Sequence, residues 1–299
     1  MIKCRNKQQN INDMITNTQK QEIRSRLEAY VKRYPSQNKA VNSLKGTSTG
    51  TVSSIINGKW ENISDEMWLN ISSQIGAAAA WQVCRTSAYS NLMFYMQDAK
   101  AESSVMWVVG PAGIGKSTAA TAFAEENRNV FRLTCSEDMH KSDFVHELAA
   151  LIGVRTVGMT VREGLAAIIE ELVRRDRPLL IFDEGDKLTD SVLYYYISLY
   201  NALEDKCGMI FLSTAYIKER MRKGLSKARK GYDELDSRIC RNFISLDLIG
   251  NAEVAEICRQ NGLNDPSAIS RVVRESASCG NDLRRVKRLV HREVKKLSL

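Results

Sequence analysis

The sequence predicts an α/β protein with a parallel sheet, a small all-α domain ahead of it and a small helical lid behind it. Three observations carry this. Five short apolar runs, at 104–109, 130–133, 179–182, 209–212 and 243–246, alternate with stretches of helical spacing. That alternation is the pattern of a parallel sheet with helices on both faces. Before residue 76 every periodic stretch is helical, and after Asp247 helical spacing returns without strands. The expected division is 1–76 for the N-terminal helical domain, 77–247 for the core and 248–299 for the lid.

The elements follow in order. Residues 1–20, rich in Asn, Gln and Lys, are expected as a loose arm with at most a weak helix. Ile23, Leu27, Tyr30, Val31 and Tyr34 lie on one helical face over 21–34, and Pro35 ends that helix. Ser36 caps a short helix to Leu44, Lys45-Gly46-Thr47 is a turn, and Ser48–Ile56 is a third helix stopped by Asn57-Gly58. Asp65–Gln74 is a fourth. Gly76 and the alanines at 77–80 form a junction into a helix reaching Asp98. Among the strands the predicted helices cover 116–126, 142–152, 160–174 and 190–204, and the lid helices cover 251–261, 266–277 and 281–297.

Gly110-Pro111-Ala112-Gly113-Ile114-Gly115-Lys116-Ser117 fits the P-loop pattern G-x-x-x-x-G-K-[ST] and lies between a predicted strand and a predicted helix. Small residues let the backbone wrap phosphates with its N–H groups turned inward. The helix that begins there adds the positive end of its dipole, and Thr118 in its first turn belongs to the nucleotide-binding set. Lys116 would reach the β- and γ-phosphates of ATP, and the Ser117 hydroxyl would bind Mg²⁺. Leu179-Leu-Ile-Phe-Asp183-Glu184 supplies the second half. Its buried strand delivers Asp183 to the carboxyl edge of the sheet, where open α/β sheets bind ligands. Asp183 would hold Mg²⁺ through water, and Glu184 would orient or deprotonate the attacking water. This is ATPase chemistry.

These segments resemble the AAA+ ATPases of DNA transposition, the B proteins of Mu-type phages. The similarity spans most of the chain. Val108–Ser117 and Leu180–Leu188 look like that family's two Walker segments, which alone would fit any AAA+ protein. Ser48-Thr-Gly-Thr-Val-Ser-Ser-Ile-Ile-Asn57 is similar to the family's recognition-helix region and sits at the same distance from the P-loop. The resemblance implies a P-loop AAA+ core. It also implies an ATPase that assembles on double-stranded target DNA as a ring or helical filament, selects the insertion site and activates a transposase. It places Thr214 at the sensor-1 position, near the γ-phosphate, where many relatives have Asn. Arg238, in Leu235-Asp-Ser-Arg-Ile239, is then the finger that reaches a neighbouring subunit's ATP, with Arg241 as its rival. Arg284, in Gly280-Asn-Asp-Leu-Arg284, is the lid's sensor-2 arginine, with Arg285 as its rival.

Residues 36–58 also read independently as a helix-turn-helix. Gly46 sits in the turn, and Val52 and Ile55 face the preceding helix. Ser48, Thr49, Thr51, Ser53 and Ser54 are left on or near the exposed face, with Lys59 just beyond, where hydroxyls and a cation can meet phosphates and base edges. Asn42 departs from the motif, which has a small apolar residue there, so its polar atoms would need buried partners. The competing reading is a helical bundle used only for protein contacts.

A second basic stretch holds Lys218, Arg220, Arg222, Lys223, Lys227, Arg229 and Lys230 against one acid, Glu219. It is either a DNA-facing segment or a solvated face. In the C-terminal helix, basic positions surround an apolar stripe assigned to the lid core.

The 299 residues carry 43 Lys and Arg against 35 Asp and Glu, a net charge of +8, which favours an anionic partner. Seven cysteines, an odd number without any C-x-x-C pair, indicate reduced thiols rather than a disulfide framework. The three histidines have no zinc-ligand spacing. Without a signal core or an apolar run long enough to span a bilayer, no membrane role and a cytoplasmic location are expected. Two other functions fit less of the sequence. One is a helicase loader or replication initiator. The other is a DNA-binding regulator switched by nucleotide, against which Glu184 beside Asp183 argues.

Overall fold

A computed structural model describes residues 15–75, 81–239 and 242–297. The chain forms two compact units, Met1–Trp81 and Gln82–Leu299.

The first unit is built from α1 (Asn17–Val31), α2 (Gln37–Asn42), α3 (Thr49–Ile56) and α4 (Asp65–Gln74). Helix α1 begins inside the stretch expected to be a loose arm. Thr16 and Gln19 form a reciprocal capping box there, which supplies partners for amides that a polar sequence otherwise leaves to water. The helix also ends at Val31, before Pro35 is reached. Ser36, Ser48 and Ser64 cap the other three helices through their side chains.

Ile23, Leu27, Val41, Leu44, Val52, Ile55, Trp68 and Ile71 make the core of this unit. Trp60 stands edge-on to Trp68 at 5.4 Å and donates its indole N–H to the Ile55 carbonyl at 3.0 Å. Asn42 is exposed, contrary to the expectation of a buried polar side chain. Ala40, Val41 and Leu44 take the inward positions of that helix and its end, so Asn42 needs no buried partner.

The second unit runs α5 (Ser87–Glu102), β1 (Val105–Val109), α6 (Lys116–Glu126), β2 (Val130–Thr134), α7 (Lys141–Ile152), α8 (Val161–Arg174), β3 (Leu179–Asp183), α9 (Asp190–Leu203) and β4 (Gly208–Ser213). It continues through α10 (Tyr216–Ser226), α11 (Tyr232–Arg238), β5 (Ile244–Ser245), α12 (Asn251–Gln260), α13 (Pro266–Ala277) and α14 (Leu283–Leu297). Helix α5 starts at a Thr86 cap; the Gly76–Ala80 junction lies outside the described residues.

All five strands are parallel, in the order β2-β3-β4-β1-β5. β3 and β4 are buried along their whole length because helices cover both faces. Trp107 of β1 stacks on Phe211 of β4 at 4.3 Å, and Phe211 on Phe182 of β3 at 4.7 Å. This row ties the three central strands together on one face. Gly208 admits α5 to the sheet: a Cβ there would lie 2.1 Å from the Ala99 carbonyl oxygen. No described helix is long and apolar enough to cross a membrane.

Candidate nucleotide-binding site

The strand order sets β1, β4 and β3 side by side, so the segments leaving their carboxyl ends meet at one edge. Val109 is level with Ser213, and Asp183 with Leu212. The P-loop, the Asp183-Glu184 pair and Thr214 therefore emerge together.

Gly113 and Gly115 hold φ of +76° and +101°, a region where a Cβ is strained, and Gly115 opens α6 without a side-chain cap. Ile114 is buried, whereas Pro111 and Ala112 are exposed. The Lys116 ammonium donates to the carbonyls of Gly110 (2.7 Å) and Pro111 (2.9 Å). Burial pushes this ammonium below the usual lysine range, while Asp183 and Asp186 pull it back up and Arg284 lowers it further. Ser117 is half-buried and Thr118 exposed in the first turn of α6.

Asp183 is 1% exposed at the end of β3. Its Oδ2 accepts from Arg132 Nη2 at 2.7 Å and Nε at 3.3 Å, and its Oδ1 accepts from the Glu184 N–H at 3.1 Å. Arg132, on the neighbouring strand β2, escapes sequence reasoning, because nothing local marks a pair 51 residues apart. Glu184 adopts φ +59°, unusual for a residue with a Cβ and a form of local strain that collects at functional sites. Its carboxylate meets Lys187 Nζ at 2.5 Å. The Thr214 hydroxyl donates to Asp186 Oδ2 at 2.6 Å, and Ser213 Oγ accepts from the Trp107 indole at 2.8 Å.

The start of α14 also reaches the P-loop. The Leu283 N–H donates to the Gly113 carbonyl at 2.9 Å, and a Cβ on Gly113 would collide with the Asp282 carboxylate at 2.1 Å. Arg284 is exposed at the start of α14, close enough to act electrostatically on Lys116. Arg285 turns instead toward Glu275, 3.9 Å away. Asn281 is buried behind them, donating to the Ile249 carbonyl at 2.8 Å and accepting from Ser276 at 2.9 Å.

Arg238 is not among the gathered residues. It ends α11, where it donates to Asn201 Oδ1 at 2.8 and 3.0 Å, pairs with Glu234 at 2.9 Å and lies over the Tyr200 ring. Arg241 lies outside the described residues.

The expected DNA contacts are distributed over both units. Ser48 Oγ caps α3 and bonds Thr51 Oγ1 at 2.9 Å, Thr49 and Lys59 are exposed, and Ser53 accepts from Gln37 at 2.7 Å. Ser53 is thus engaged with α2 rather than free. In the second basic stretch Lys218 donates to Ser245 Oγ at 2.8 Å, and exposed Arg222 and Lys223 share Glu219 at 2.7 and 3.3 Å. Arg220 is the correction to that stretch: it turns inward and pairs with Asp190 at 2.6 Å. It lies on the same face of α10 as the helix's buried apolar residues. Two buried apolar residues of α10, Ile217 and Met221, stand one turn apart and would have revealed its helical register.

An AAA domain family matches residues 99–221. The chain is 24% identical over 251 residues to the Mu-like prophage FluMu DNA transposition protein B of Haemophilus influenzae, covering 80% of this chain and 85% of that protein. It is 27% identical over 181 residues to the ATP-dependent target DNA activator B of Escherichia phage Mu, covering 58% of this chain and 57% of that one. A RuvB mutant of Thermotoga maritima aligns at 18% identity and a TM-score of 0.45, over 71% of this chain and 62% of that one. With the P-loop, the acidic strand end and a parallel sheet in one unit, the chain carries the AAA domain of an ATPase and is similar to the DNA transposition B proteins of Mu-like phages.

Proposed function

We propose that this ATPase assembles on double-stranded DNA in its ATP-bound form, marks the insertion site and activates a transposase, with hydrolysis driving release. The observation that carries this is the meeting of P-loop, Asp183-Glu184 and Thr214 at one sheet edge, in a chain related to transposition B proteins. Lys116 binds the β- and γ-phosphates, and Glu184 takes the proton of the attacking water. Thr214, held by Asp186, positions that water or the γ-phosphate. Arg284, at the start of the lid helix, adds a cation on the phosphate side, which stabilises charge that grows in the transition state.

The donor set suits Mg²⁺. The Ser117 hydroxyl opens α6, and the Asp183 carboxylate ends the strand beyond β4. The ion would neutralise phosphate charge there. Arg238 acts on a neighbouring subunit's ATP, which makes hydrolysis depend on assembly. To do so it leaves Asn201 and Glu234. DNA contact falls to Ser48, Thr49, Thr51, Ser53 and Lys59 of a helix-turn-helix over 36–58, and to Lys218, Arg222 and Lys223 on α10.

The test measures ATP hydrolysis with and without double-stranded DNA, with sedimentation in each condition. Assembly on DNA that requires ATP, with DNA-stimulated turnover lost in Lys116→Ala and Glu184→Gln, supports the reading. DNA binding indifferent to ATP, without turnover or assembly, sinks it in favour of a nucleotide-independent DNA binder.

A further inference from the structure

Arg220 lies outside the nucleotide edge, yet it is the most heavily bonded arginine of the second basic stretch. It is only 15% exposed, in the middle of α10. Its Nη1 donates to the carbonyls of Asp186 (3.1 Å) and Leu188 (2.6 Å), in the turn that follows Asp183-Glu184. Its Nη2 donates to Asp190 Oδ1 at 2.6 Å, at the start of α9. Its Nε donates to the Tyr232 hydroxyl at 3.1 Å, in the first residue of α11, and that hydroxyl donates to the same Asp190 oxygen at 2.8 Å. Arg229 closes the cluster on Asp190 Oδ2 at 2.5 Å. The Tyr232 ring fills the space a Cβ on Gly224 would need, so α11 is seated against α10 without a gap.

One guanidinium thus joins three segments. The first is the turn whose Asp186 side chain receives Thr214. The second is the start of α9, and the third is the start of α11. Arg238 stands at the far end of α11. A planar fork of donors fixes angles as well as distances, which a lysine cannot do.

We propose that Arg220 is a positioning residue: it holds α11, and Arg238 at its end, in register with the turn behind Asp183-Glu184. The defect on removing it lies in what a subunit gives its neighbour, not in its own pocket. This rests on the proposed action of Arg238 on a neighbouring subunit's ATP.

The experiment mixes full-length subunits on DNA. Arg220→Met and Arg238→Ala each lose turnover by about 10-fold or more when assembled alone, while binding of a fluorescent ATP analogue stays near the wild-type affinity. Each is then mixed with Glu184→Gln, which cannot hydrolyse ATP but carries both arginines intact. Recovery of turnover in both mixtures is the expected result. Recovery with Arg238→Ala but not with Arg220→Met overturns the inference and leaves the function standing. Failure of both mixtures removes the trans action of Arg238 and the inference with it. Arg220→Lys carries the same test should Arg220→Met melt early, and undiminished turnover in Arg220→Lys overturns the role of the fork.

Discussion

The nucleotide edge of the sheet and the outer face of α10 are both rich in charge but hold it differently. At the edge, Asp183 is buried and met by Arg132 from another strand, and Lys116 is pinned by two loop carbonyls. On α10, Arg222 and Lys223 share Glu219 one turn away, with 67% and 62% of their side chains exposed. Buried charges need a fixed partner, so their geometry is determined and each substitution leaves another charge stranded. Exposed charges need none, so they act through a field that salt screens. Chemistry belongs at the first kind of site and non-specific attraction at the second.

Substitutions at the two regions sharpen or break this contrast. Glu184→Gln should lower turnover by about 100-fold or more, the usual contribution of a general base, with ATP still bound. Steady-state phosphate release and nucleotide titration check both parts, and a small loss would mean that Glu184 is not the base. Arg132→Gln strands the Asp183 carboxylate and should cost about 3 kcal/mol of stability, read from the urea midpoint. Arg222→Gln should change stability by less than about 0.5 kcal/mol in the same assay. If the two costs are alike, the contrast fails.

The double variant Arg222→Gln, Lys223→Gln should instead weaken DNA binding uniformly across sequences. The slope of log affinity against log salt should fall by about two if both meet phosphates. The smallest effect concerns pH. Lys296 and Arg271 hold the Glu293 carboxyl of α14 down at about 2. A depressed carboxyl contributes stability that is complete above the unfolded glutamate value and is lost as pH falls toward 2. Glu293→Gln should therefore flatten the acid limb of a melting curve between roughly pH 4 and 2, and leave its shape near neutrality unchanged.

What could be read from the sequence divides along the same physical line. The strands β3 and β4 were legible because they are unbroken apolar runs. The P-loop was legible because a phosphate cradle is built from adjacent residues. Arg132 with Asp183 and Arg220 with Asp190 were not, since their partners lie 51 and 30 residues away and only the fold brings them together. The start of α1 is not fixed by the sequence beyond a weak helix within 1–20, because a capping box between Thr16 and Gln19 looks like any other polar stretch. Asn42 was assigned inward by analogy with a motif, and the helix places it one step round from the buried Val41.

The stacked row across the sheet gives the protein an optical gauge of its own. Trp107 is wholly buried, and its indole is bonded to Ser213, the residue next to Thr214. Indole emission depends on the polarity and hydrogen bonding around the ring. A displacement of Thr214 by a γ-phosphate should reach that ring through a single peptide unit. The wild-type emission spectrum minus that of Trp107→Phe would then follow the nucleotide state in real time, without any label.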